Sequence, residues 1–66
     1  MKYGWISFPA AAIRKKPRHS SEMVNQLLFG EQVELLKKKN DLWVKIRSLH
    51  DNYVGWVTIT LITETE

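Results

Sequence analysis

Cysteine is absent from the 66 residues, and its absence excludes several chemistries at once. No disulfide can staple the fold, no thiolate can act as a nucleophile, and a structural zinc site has no sulfur ligand. Histidine is nearly as scarce: His19 and His50 stand in separate turn-like stretches, too few for a metal site and read as solvated turn residues. No apolar run approaches the ~20 residues of a membrane-crossing helix. No charged-then-apolar leader follows Met1, which argues against a secretory signal, although a longer parent polypeptide could carry one. Compartment stays open. A domain of this length hides only about 60% of the surface its unfolded chain exposes, which leaves no depth for an enclosed active site.

Charge is present and bunched. The formal net charge is +3 and the sequence pI is near 9.5. Arg14, Lys15, Lys16 and Arg18 form one cluster, and Lys37, Lys38 and Lys39 another. Such bunching fits a nucleic-acid binder. It also fits two solvated loops that keep a small domain soluble, and that plainer reading carries more weight.

The densest apolar stretch runs from Glu22 to Leu36. Val33 and Leu35 alternate with Gln32 and Glu34, the period of a half-buried strand with the apolar pair inward and the polar pair toward water. Gly30 interrupts the run, and a glycine there supplies a positive φ or lets two backbones approach closely, so Phe29, Gly30 and Glu31 read as a tight turn. Positions 23, 24, 27 and 28 also fit one face of a short helix, but a diverging turn fits the pattern better.

On either side lie further short extended segments. Met1 to Phe8 is aromatic-rich and reads as an edge segment ended by Pro9. Ala10 to Arg14 is extended, with Ile13 as its one large anchor. Lys15 to Ser21 has no periodicity and contains Pro17, so it is a long loop. Lys38 to Asp41 make a polar turn. Leu42 to Leu49 then alternates, with Leu42, Val44 and Ile46 as core and Trp43, Lys45 and Arg47 on a wetter face. His50, Asp51 and Asn52 supply a turn into a strand over Tyr53 to Thr58, within which Gly55 marks a bulge or a close backbone approach. Ile59, Leu61 and Ile62 form a last apolar element, and Thr63 to Glu66 reads as a polar exit or linker. The whole is one all-β domain, a small barrel of about five strands with a long first loop and a short 3-10 turn near the C-terminus.

Ile13 and Arg14 followed by Pro17, then Leu27, Leu28, Gly30, Glu31 and Val33, then Trp43, Val44, Lys45 and Ile46, then Gly55, Trp56 and Val57, resemble in that order the bacterial SH3-like (SH3b) domain. More narrowly, Pro17, Ser21 to Val24, Gln26 to Glu31 and the opening Met1, Lys2, Tyr3, Gly4 are similar to the amino-terminal domain of NlpC-type papain-like cell-wall peptidases. The resemblance implies that the chain is the targeting and substrate-shaping half of a D-glutamyl-diamino acid endopeptidase, with the catalytic Cys and His in a following domain. It also implies that the domain helps recognise the free L-alanine amine of peptidoglycan stem peptides.

Candidate ligand-binding residues are Glu22 and Ser21 in the long loop, with Trp43, Tyr53 and Trp56. A rim carboxylate such as Glu22 can pair with a ligand ammonium. It can equally neutralise Lys15, Lys16 or Arg18, for about 0 to 1 kcal/mol. Large amphipathic aromatics line many ligand sites, yet Trp56 can as well complete an undersized core. Ser20, Ser21, His19 and Asp51 supply the composition of a catalytic triad but nothing to aim them at one point. No catalytic, metal or cofactor residue is expected, and no membrane partner. The expected state is a monomer beside its papain-like peptidase domain. A nucleic-acid-binding barrel using basic loops and exposed aromatics is the alternative, and a proline-peptide reader ranks last.

Overall fold

The computed structural model describes residues 2 to 65. The strands are β1 (Lys2–Ile6), β2 (Ala10–Arg14), β3 (Met23–Leu28), β4 (Gln32–Lys39), β5 (Trp43–Ser48), β6 (Val54–Thr58) and β7 (Ile62–Thr65), with one 3-10 turn at Ile59–Leu61 before the last. All seven join one antiparallel sheet in the order β3-β2-β6-β5-β4-β1-β7. The domain is all-β, as expected, with more and shorter strands than the five anticipated. No helix among the described residues is long and apolar enough to cross a membrane.

Alternation along these strands builds a single core. Ile6, Ala11, Ile13, Leu27, Val33, Val44, Ile46 and Val57 turn to one side and meet in one cluster, although they come from six different strands. The sheet must therefore wrap until its two ends share an interior. Hydrogen bonds near the ends show the closure, with Gly30 N–H donating to the Ile6 carbonyl (2.8 Å) and Phe29 N–H to the Pro9 carbonyl (3.3 Å).

Two glycines make the wrapping possible. Gly30 adopts φ +88°, the left-handed conformation its place in the turn required. Gly55 faces inward where β6 crosses β2, and a Cβ there would collide with the Ile13 side chain and lie 3.0 Å from the Arg14 carbonyl. The close-approach reading of Gly55 is the right one. Asn40, Asp41 and Asn52 also take positive φ in the two polar turns, as short polar side chains tolerate.

Several expectations are corrected. β1 is not an edge: it lies between β4 and β7, because the segment after the 3-10 turn returns to pair Ile62 with Ile6 and Thr65 with Tyr3. The polar stretch from Thr63 is accordingly strand through Thr65 rather than linker, while Met1 and Glu66 lie outside the described residues. Residues 23 to 28 form strand β3, neither a helix nor a turn. Leu42 precedes β5 and stays 45% exposed instead of joining the core. Tyr53 belongs to the turn, and β6 begins at Val54.

The true edges are β3 and β7. On β3 the Gln26 N–H is taken by the Asn25 side chain (2.8 Å) and the Leu28 N–H by the Glu31 carboxylate (2.7 Å). A bulge beside Arg14 interrupts the strand's regular pairing with β2. Occupied donors and a bulge are what keeps an edge from recruiting another strand.

Candidate functional site

Residues directly opposite in a sheet share a face, so the register lays out the outer surface row by row. One row is Thr58, Trp43 and Lys39, the next Arg14, Trp56, Lys45 and Lys37, and the third Val54, Arg47, Glu34 and Tyr3. Trp43, Lys45 and Arg47 do stand opposite the core, as their alternation said. Wetness is another matter. Trp43 is only 5% exposed and Glu34 only 4%.

Trp43 is covered by a loop distant in sequence, and Glu34 by its cross-strand neighbour. Over Trp43 lies the loop of residues 15 to 22, with the His19 ring 4.9 Å from the Trp43 ring at 58°. His19 is an exposed turn residue, as expected, and its ring also packs on Trp43. Over Glu34 lies Arg47, whose Nε donates to the carboxylate at 3.0 Å while Nη2 makes a second, closer bond to the same oxygen. A buried carboxylate held this way is satisfied; removing its partner would leave an uncompensated charge. The spacing that placed Glu34 toward water was right about direction and silent about the arginine.

Ser21 holds the loop in shape. Its Oγ accepts from Lys16 N–H (2.9 Å) and its carbonyl from Arg14 Nη1 (3.1 Å). Its own N–H donates to the Arg18 carbonyl, and Lys15 N–H donates to the Glu22 carbonyl at the loop's stem. Buried and spent on these bonds, Ser21 positions the loop and has little left for a ligand. The Glu22 carboxylate enters none of the ion pairs among the described residues, so the neutralising role with Lys15, Lys16 or Arg18 is not what the structure shows.

Between loop and sheet sits a hollow of about 160 Å³ lined by Ala12, Arg14, His19, Trp43, Thr58 and Leu61. Drug-sized ligand pockets run from about 300 Å³ upward, so this one has room for about one side chain. Sequence reasoning named Trp43 and missed Ala12, Arg14, His19, Thr58 and Leu61. The β2-β6-β5 pairing brings Ala12, Arg14 and Thr58 there, and the loop and the 3-10 turn bring His19 and Leu61, none of which a local pattern supplies.

Tyr53 does not belong here. β5 carries the chain about 17 Å from Trp43 to Ser48 at strand rise, and Tyr53 bonds to Ser48 at the far end (2.8 Å). Trp56 lies between them, half-buried and opposite Arg14 and Lys45. Asp51 is also at the far end, where it accepts from Tyr53 N–H; that bond, more than any other influence, lowers its pKa from 3.8. His19 and Asp51 thus lie at opposite ends of the β5-β6 hairpin, which disposes of the nominal triad.

A second hollow, about 130 Å³, opens at the barrel mouth among Leu35, Val44, Ile59 and Ile62. Glu64 rims it, paired with Lys38 (3.1 Å) and Lys2 (3.7 Å). The Lys38 hydrogen bond, followed by its charge, lowers the Glu64 pKa from 4.5. No group of His, Asp and Glu among the described residues is arranged to hold a metal.

A wrapped antiparallel sheet with a long first loop, offering a side-chain-sized hollow, defines a small β-barrel binding module. The particular family follows from the sequence between Ile13 and Ile62: it matches the bacterial dipeptidyl-peptidase SH3 domain over residues 13–62, and the chain belongs to that family. It is a bacterial SH3-type domain of a peptidase-associated family, an accessory module that is not catalytic by itself. No curated protein matches the chain.

Proposed function

We propose that this domain serves an NlpC-type papain-like peptidase, whose catalytic domain lies in the same parent chain, by helping to recognise peptidoglycan stem peptides at their free L-alanine amine. The observation that carries the reading is the Glu22 carboxylate, exposed and without an ion pair among the described residues, on the stem of the loop that covers Trp43. A carboxylate so placed can accept a charge-assisted bond from an ammonium. The hollow under the same loop, lined in part by His19 and Trp43, has room for a methyl-sized side chain. The family match to peptidase-associated domains supports the setting. Tyr53 and Ser21 drop out of this site, the first by distance and the second because its bonds hold the loop.

The test is a titration of the chain, alone and joined to its peptidase domain, with stem peptides bearing a free or an acetylated L-alanine amine, followed by amide and indole shifts. Shifts at Glu22, His19 and Trp43 with the free amine only are expected. Glu22→Gln should weaken binding about tenfold, the order of one charge-assisted bond. Shifts absent in both forms, or unaffected by acetylation, would overturn the reading.

A further inference from the structure

The cations of the outer face are better organised than sequence clusters suggest. Arg14, from the loop cluster, and Lys37, from the β4 cluster, are 23 positions apart, yet the register sets them at the two ends of one row that runs Arg14, Trp56, Lys45, Lys37 across four strands. At the usual strand spacing such a row spans about 14 Å. Lys39 extends it on the neighbouring row, opposite Trp43.

These charges are not spent internally. The acid on this face, Glu34, is committed to Arg47, and Lys2 and Lys38 pair with Glu64 at the barrel mouth. Lys37, Lys39 and Lys45 enter no ion pair among the described residues, and Arg14 gives Nη1 to the Ser21 carbonyl. The aromatics beside them are less available. Trp43 is buried under His19, and Trp56 is half-buried within the row. A nucleic-acid reader stacks bases on open rings. Here Lys37 and Lys39 are exposed, Arg14, Lys45 and Trp56 are half-buried and Trp43 is buried, so the surface offers exposed charge but no fully open tryptophan ring.

We propose that the outer face of β2-β6-β5-β4 binds a linear phosphodiester polymer through its backbone charge, without reading bases. This stands apart from the stem-peptide reading, since it uses Lys45 and Lys37 rather than Glu22 and would survive that reading's failure.

The experiment measures binding of an abasic phosphodiester oligomer, and of a thymidylate oligomer of equal length, to the full chain over a series of salt concentrations. Affinities equal within about threefold are expected, with log K falling against log salt at a slope near −3, about 0.7 for each phosphate neutralised. Lys37→Gln, at an exposed position, and Lys45→Gln, at a half-buried one, should each flatten the slope by about 0.7. Lys15→Gln should leave it unchanged. Thymidylate binding tenfold or more tighter than the abasic chain would mean base stacking and a nucleic-acid reader. That result, undetectable binding of either oligomer, a slope unaltered in both row variants, or a loss equal to theirs in Lys15→Gln would overturn the proposal.

Discussion

The inner and outer faces of this sheet are made by alternate residues of the same strands, yet they are stabilised by different means. The inner face is mainly apolar: Ile6, Ile13, Val33, Val44, Ile46 and Val57 bury one another, and Ser48, opposite Val33, is the polar side chain buried beside them. The outer face starts as tryptophan, lysine, arginine and glutamate, and is then partly sealed: by a loop laid over Trp43, and by Arg47 of the same face, which pairs with Glu34 across the strands. Burial on one face is dictated by the period of the strand. On the other it is decided by what the rest of the chain lays on top.

That contrast can be broken most sharply at Trp43. If loop coverage makes this outer residue equivalent to core, Trp43→Ala will cost about 3 to 5 kcal/mol, as for a buried aromatic, measured from the urea midpoint at unchanged slope. A cost below about 1 kcal/mol, the usual range of surface changes, would return Trp43 to the wet face. Next in size is Gly55→Ala on the inner face. Its added methyl meets Ile13 and the Arg14 carbonyl, so overpacking should cost about 1 to 3 kcal/mol; a stabilised variant would show that β2 and β6 have slack.

The smallest effect belongs to the barrel mouth. The folded-state pKa of Glu64 lies below 4.5, so its pairing with Lys38 and Lys2 contributes above that value and is lost as pH falls through the lower folded value. Glu64→Gln should therefore flatten the decline of stability below about pH 4.5, and added salt should shrink the difference between the two proteins. Parallel acid limbs for both would place these charges outside the folding equilibrium.

Much of this architecture was legible in the order of residues. The Gly30 turn, the extended Ala10 to Arg14 segment, the turns at Asn40 and Asp41 and at residues 50 to 52, and the inward set of Val33, Val44 and Ile46 follow from local stereochemistry and a period of two. Lys38 and Lys39, expected in the first of those polar turns, instead continue strand β4. The internal position of β1 was not legible, because it depends on the chain coming back after Leu61 to offer Ile62 through Thr65 as a partner. Leu42 and Tyr53 were assigned to strands that begin one residue later, a boundary set by where turn hydrogen bonds close.

What the sequence determined alone is direction: which way each strand residue points, where the chain can turn, and that no thiol is available for chemistry. Only the tertiary structure decided exposure. Whether Trp43, Glu34 or Arg14 meets water depends on segments far away in the chain, and the energy of covering a side chain comes from contacts that no local pattern contains.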